Sequence, residues 1–257
     1  RASAKTVFLF PGQGAQAVDM GVQAAETVPR AKQLYEKASS ILGYDLLETI
    51  KGPKDKLDTT AVSQPAIFVS SLADVEKLRA SGPDGEAAIA AADAACGLSL
   101  GEYTALAFAG AISFEDGVRI TKARGEAMQA ASDAAKSGMV SVIGLDSDKV
   151  SELCAAAAEK TGEPIAIANY LCPGNYACSG SMSAVDAVVE MAKPEFKARM
   201  AVKLAAAGAF HTDFMAPAVP KLEAVLADVT VSTPRIPVIS NVDAAPHSDP
   251  DEITSIL

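Results

Sequence analysis

The stretch Gly97-Leu98-Ser99-Leu100-Gly101 carries the residue of this chain best suited to act as a nucleophile. The pattern G-x-S-x-G fits a nucleophile elbow, a strand-to-helix turn that lifts the serine hydroxyl off the backbone while the glycines let neighbouring segments approach. Ala87 to Cys96, small and apolar, are expected to form the buried strand that enters the turn, and Glu102 to Ala109 the helix that leaves it. Free N–H groups at the start of that helix can hold a developing oxyanion. A serine hydroxyl also needs a base. Of the two histidines, His247 lies in the Pro/Asp-rich stretch Ala244 to Pro250 and is expected to be solvated, so the base is expected to be His211, in Ala209-Phe210-His211-Thr212. Serine before histidine is the chain order of the elbow enzymes. Asp116, Asp133, Asp146, Asp148 and Asp186 lie between the two but each reads as a cap, turn or surface residue. The group that orients the imidazole therefore stays unassigned, and a backbone carbonyl could serve. Arg124, next to Gly125, is a candidate fork for a carboxylate, and the glycine implies close packing rather than a free surface.

Composition narrows the classes. A net charge of −10 opposes binding to nucleic acid or to an anionic membrane surface. No run of about 18 apolar residues is present, so no membrane span is expected. The four cysteines lack C-x-x-C spacing and histidine partners, which argues for structural thiols and no metal. The N-terminus shows no signal or transit pattern, although a removed leader would leave the same start.

The elements that must position these groups can be read in order. Thr6–Phe10 is expected to be a buried first strand, ended by Pro11-Gly12, with Gly12 to Gln16 as a loop. Gly12 and Gly14 do not make a dinucleotide fingerprint, because position 17 is Ala17. Helices are expected at Pro29–Leu42, at Thr60–Arg79 and, after the Ser113/Asp116 capping pair, from Phe114 to about Ala131. From Ser132 to Ala205 the predicted order is β-α-β-β-α-β, that of a ferredoxin-like unit. It would interrupt a large domain formed by residues 1–131 and 206–257. A helix after His211 and a strand at Ile236–Ser240 return the chain to that domain.

Four motifs occur in order: Phe10-Pro11-Gly12-Gln13-Gly14-Ala15-Gln16, Gly97-Leu98-Ser99-Leu100-Gly101-Glu102-Tyr103, Arg124-Gly125-Glu126-Ala127-Met128 and Gly208-Ala209-Phe210-His211-Thr212. On these the chain resembles the malonyl-CoA:acyl carrier protein transacylases of type II fatty acid synthesis, from Lys5 to its end. Asn169 to Asn175 and Asn241-Val242-Asp243 resemble the plastid form. The resemblance implies an α/β fold, with a large α/β-hydrolase-like domain built on a parallel sheet plus the small ferredoxin-like insert. It implies ping-pong transfer of malonyl from malonyl-CoA to the phosphopantetheine thiol of acyl carrier protein through Ser99, with His211 as base and no bound cofactor. Gln13 and the N–H of Leu100 would line the oxyanion hole, Arg124 would hold the malonyl carboxylate, and Asn169 would support the histidine. Lys193, Lys197, Arg199 and Lys203 form a candidate docking patch for the acidic carrier. The implied location is the plastid stroma, or else a bacterial cytoplasm. Leu98 departs from the histidine that often precedes the nucleophile. The resemblance also implies a further segment after Leu257, with a glutamine whose carbonyl orients the histidine. A serine hydrolase on the same elbow, or a carrier-binding module without activity, are the competing expectations; the Phe10–Gln16 loop and Arg124 argue against the first.

Overall fold

The computed structural model describes residues 5–257; residues 1–4, on which the reading of the N-terminus partly falls, lie outside it. The chain divides into two compact units, residues 1–125 with 222–257, and residues 126–221. The strands among the described residues are β1 (Thr6–Phe10), β2 (Ala92–Gly97), β3 (Ser137–Ile143), β4 (Ile165–Cys172), β5 (Asn175–Ser181), β6 (Met200–Lys203), β7 (Val238–Ile239) and β8 (Pro246–His247).

In the first unit the sheet order is β1-β2-β7-β8. The β1/β2 and β2/β7 pairs are parallel, and β8 closes the edge as a short antiparallel hairpin with β7. This is the α/β architecture expected, with two corrections. β1 is an edge strand buried on one face only: Phe10 is buried whereas Val7 and Leu9 are exposed. The predicted strand over Ala87–Cys96 is divided, because Pro83–Ala90 is a helix with proline in its first turn, and β2 begins only at Ala92. A run of alanines cannot be assigned to strand by apolarity, since alanine is also the strongest helix former. β7 is shorter than its apolar run because Pro237 precedes it and has no N–H for the ladder.

The second unit carries the β-α-β-β-α-β order, with helices Ser147–Thr161 and Met182–Ala192. Its sheet runs β4-β5-β3-β6, antiparallel throughout, which is the ferredoxin-like arrangement. Val140, Val142 and Cys178 from the sheet pack with Leu153, Val185 and Val188 from the helices.

Two long helices position the site, the second of which runs on past Gly125 into the second unit. Thr60–Ala80 has its residues from Ser63 to Ser70 buried without a polar face. Phe114–Asp133 begins at Ser113, whose Oγ accepts from Asp116 N at 3.0 Å and donates to Asp116 Oδ2 at 2.7 Å. This is half of a capping box, with the carboxylate meeting the hydroxyl instead of the cap's N–H. The helices approach at glycines. A Cβ on Gly117 would lie 2.2 Å from the Phe68 ring, and one on Gly125 would lie 2.8 Å from the carbonyl oxygen of Thr60.

Gly117→Ala therefore sets two effects against each other: about 1 kcal/mol gained in helix propensity and roughly 1–3 kcal/mol lost to overpacking a buried ring. The overpacking is expected to win, because Phe68 has no exposed surface toward which to move. Urea unfolding should show a lower midpoint for Gly117→Ala, and an unchanged or higher midpoint would mean that the helices separate freely.

Candidate active site

The elbow forms where β2 ends at Gly97 and the helix Leu100–Phe108 begins. Ser99 sits between them with φ 53° and ψ −108°, a left-handed conformation that a non-glycine residue rarely adopts. The glycines are required by contact. A Cβ on Gly97 would lie 2.1 Å from Gly101 C, one on Gly101 would lie 2.4 Å from Phe10 O, and one on Gly12 would lie 2.5 Å from Leu98 O. The loop after β1 is thus pressed onto the elbow, and Leu98 N donates to Phe10 O at 3.2 Å. The side chain of Leu98 is exposed.

Arg124 is buried and faces the serine. Its Nη2 donates to Ser99 Oγ at 2.9 Å and its Nη1 donates to Gln64 Oε1 at 2.8 Å. The guanidinium also lies over the Tyr103 ring, 5.6 Å from the centroid. Burial pulls the Arg124 pKa down, and burial likewise raises that of Tyr103, against the opposing effect of the arginine. An arginine keeps its charge even so. The arrangement is a desolvated cation touching a hydroxyl, able to receive a carboxylate and to favour negative charge on oxygen.

Gln13, in the loop after β1, donates from Nε2 to Thr60 Oγ1 at 3.1 Å, while its Oε1 is buried and meets no hydrogen-bond partner. Leu100 opens the elbow helix, so its N–H has no partner within that helix. On the other side of the elbow, Asn241 follows β7 and bonds to Ser99 N, Gly97 O and Glu102.

His211 and Asn169 belong to the second unit. His211 has φ 60° and precedes the 3₁₀ helix Asp213–Ala218. Its neighbours are tied down: Phe210 and Ala209 are buried, Ala209 N donates to Ser137 Oγ at 3.0 Å, and Thr212 Oγ1 donates to Ala209 O at 2.7 Å. Asn169 lies on β4 where its register with β5 shifts. Lys193, Lys197, Arg199 and Lys203 are all exposed. Lys203 is paired with Asp186, and Lys197 donates to Pro194 O at 2.8 Å. Among the described residues no group of three or more His, Cys, Asp or Glu side chains could hold a metal ion.

The expectation for His247 fails. The residue is buried on β8, with Nε2 2.9 Å from Asp243 Oδ2 and Nδ1 3.1 Å from Glu252 Oε2. The surrounding Pro and Asp residues form a hairpin and cap the helix Pro250–Ile256, so they cover the ring. Sequence reading also missed Gln64 and the role of Glu102. Gln64 was detectable as a polar residue beside the apolar run Pro65–Val69, and Glu102 as an acid in the first turn of the elbow helix.

The description "acyl transferase domain" matches residues 7–256, and the chain belongs to that family. More particularly, its relatives are malonyl-CoA-acyl carrier protein transacylases. It is 42% identical to the mitochondrial protein of that name from Mus musculus, over 98% of this chain and 67% of the relative. The solved malonyl CoA-acyl carrier protein transacylase of Coxiella burnetii is 33% identical, with a TM-score of 0.89 over 98% of this chain and 77% of that one. A malonyl-transacylase solved in complex with its type II PKS acyl-carrier protein is 31% identical, with a TM-score of 0.88 over 98% of this chain and 79% of that one. The chain thus spans about two thirds of the mouse relative's length.

The hydrogen bond to Glu252 is the largest influence on His247; burial opposes it, Asp243 adds to it, and the net effect raises the pKa. A folded-state pKa above the usual value of about 6.5 favours the protonated native state. The resulting stability is fully present below the unfolded pKa and is lost as pH rises through the folded one. The melting-temperature difference between wild type and His247→Gln should therefore be largest below about pH 6.5 and shrink as pH rises above it. A difference that grows with pH would contradict the assignment.

Proposed function

We propose that this chain transfers a malonyl group from malonyl-CoA to the phosphopantetheine thiol of an acyl carrier protein through a malonyl-serine at Ser99. The observation that carries the reading is the buried Arg124 guanidinium donating to Ser99 Oγ at 2.9 Å. A malonyl ester on that oxygen places its carboxylate two carbons from the new carbonyl, within reach of the same cation. In the resting site Arg124 donates to neutral oxygens on Gln64 and Ser99. A carboxylate would bond to the guanidinium and compensate the hydration that burial has removed, and an acetyl group would not.

In the first half-reaction Ser99 Oγ attacks the thioester carbonyl and His211 takes its proton. The oxyanion is held by the Leu100 N–H and by the backbone N–H and side chain of Gln13. The carbon–sulfur bond then breaks, and the proton passes from His211 to the coenzyme A thiolate. In the second half the carrier's thiol gives its proton to His211, its sulfur attacks the malonyl ester, and Ser99 leaves with the returned proton. The choice of His211 as base is supported by the engagement of His247 with two carboxylates, and by the fixed backbone on either side of His211. Asn169 supports the histidine. No cofactor is needed, since both reacting groups belong to the substrates and the serine. Lys193, Lys197 and Arg199 are the docking residues proposed for the acidic carrier, with Lys203 already engaged by Asp186. The proposed compartment is the plastid stroma, on the likeness of Asn169–Asn175 and Asn241–Asp243 to the plastid form; the named relatives include a mitochondrial one and one from Coxiella burnetii.

Intact mass spectrometry after exposure to malonyl-CoA should show a single malonyl adduct that Ser99→Ala abolishes and His211→Ala forms at least about 100-fold more slowly. Addition of carrier protein should discharge it onto the carrier. Discharge to water instead would make the chain a hydrolase, and an adduct at another residue would end the serine assignment.

Arg124→Ala should weaken malonyl transfer by roughly 100-fold or more while changing acetyl transfer little, because the lost contact is a charge pair that only malonyl can make. Steady-state transfer from the two thioesters measures this. Equal losses would show that Arg124 does not read the carboxylate.

A further inference from the structure

The connection after β7 places Asn241 against the elbow. Its Oδ1 accepts from Ser99 N at 2.9 Å, and its Nδ2 donates to Gly97 O at 2.6 Å and to Glu102 Oε2 at 2.7 Å. Its own N–H donates to the same Glu102 oxygen at 3.0 Å. One amide thus grips the residue two before the nucleophile, the nucleophile itself, and the first turn of the helix that follows. The hairpin does not need these bonds. It is closed by Ala244 N to Ser240 O at 3.1 Å, Ser240 N to Ala245 O at 3.0 Å and Val242 N to Ser240 Oγ at 3.1 Å. The side chain of Asn241 therefore serves the elbow rather than its own turn.

We propose that Asn241 is a positioning residue for the nucleophile, holding Ser99 in its left-handed conformation, with Glu102 fixing the amide the right way round. This rests on the reading of Ser99 as the acylated residue. The bond to Ser99 N engages that N–H, so the oxyanion must be met by other donors. The bond to Gly97 O ties down the strand end. Together they fix the Leu98–Ser99 peptide plane and the one before it, so the chain entering Ser99 cannot swing to relax a φ of 53°. Glu102 accepts both the Nδ2 and the main-chain N–H of Asn241, and a carboxylate makes those bonds stronger than neutral ones. A reversed amide would bring oxygen against oxygen at both Gly97 and Glu102, so the orientation follows from the partners.

The test reads serine reactivity apart from malonyl chemistry. A fluorophosphonate probe labels an activated serine whatever its natural substrate, and its second-order labelling rate at Ser99 is measured beside single-turnover malonylation and thermal unfolding of the whole chain. Asn241→Ala and Asn241→Asp should each slow both reactions about tenfold, the factor for roughly 1.4 kcal/mol, at temperatures where circular dichroism shows every variant folded. The KM for malonyl-CoA should move less than about threefold, because Arg124 is untouched. Asn241→Asp sets a second carboxylate against Glu102. Adding Glu102→Gln provides a donor there and should recover at least threefold of the lost rate. Wild-type labelling rates in both single variants would overturn the proposal. So would a double variant no faster than Asn241→Asp, or rate losses that vanish wherever the variants are fully folded. Should the wild type label with the probe yet take up no malonyl group, the function proposed above fails while the labelling rates still decide the role of Asn241.

Discussion

One backbone conformation governs the site: Ser99 at φ 53°, ψ −108°. A non-glycine residue held there costs about 1–3 kcal/mol and persists only where its surroundings over-determine it. Here they do so by close approach. Gly12, Gly97 and Gly101 each face a backbone atom at a distance that leaves no room for a methyl group. The strand before the serine is locked into the sheet between β1 and β7. The helix after it starts at the next residue, so the turn has no slack to share out. What results is a hydroxyl displaced from its own chain and set at a helix N-terminus, where the unpaired N–H groups and the dipole both favour negative charge.

The second constraint is a buried positive charge. Arg124 is buried where its own helix packs against Thr60–Ala80, a close approach that Gly125 allows. Removing a guanidinium from water is costly, and the hydrogen bonds it makes to Gln64 and Ser99 return only part of that cost. A site built this way gains from a ligand that carries the opposite charge and loses when a neutral one displaces water without replacing it. Selectivity then comes from the energy of the empty site as much as from contacts in the full one. Gln64 matters for the same reason: fully buried, it is the fixed acceptor that aims the fork and leaves the second nitrogen toward the serine.

Much of this was legible from residue order. The ferredoxin-like unit follows from alternating strand and helix patterns, which are strong when apolar positions change period from one segment to the next, as from Met139–Ile143 to Val150–Ala157. The elbow follows from two glycines and a serine. What failed did so for identifiable reasons. The alanine run at Ala87–Ala95 has no periodicity to distinguish helix from strand, and proline at position 83 was the better signal. Thr6–Phe10 reads as fully buried because apolar residues on both faces look the same whether or not a neighbour covers the second face. His247 looked solvated because Pro and Asp mark loops, yet here they form the hairpin and the helix cap that enclose it. Partners far apart in sequence, Gln64 with Arg124 and Asn241 with Ser99, leave no local pattern at all.

A net charge of −10 opposes the approach of substrates that are themselves anionic, and the scale of each effect resolves the conflict. Surface charges are screened over about 8 Å at physiological ionic strength. The acidic residues engaged in exposed pairs, such as Glu115 with Lys37 and Glu152 with Lys149, act mainly on their own neighbours. Arg124 is buried beside the reacting oxygen, where low polarisability makes a single charge count for several times more than at the surface. The acidic surface therefore bears on the rate of encounter, whereas in the function proposed above the buried cation selects the acyl group. Bulk composition bears on nucleic-acid binding because that binding is made of many screened contacts. It says little about a site whose chemistry turns on one desolvated group.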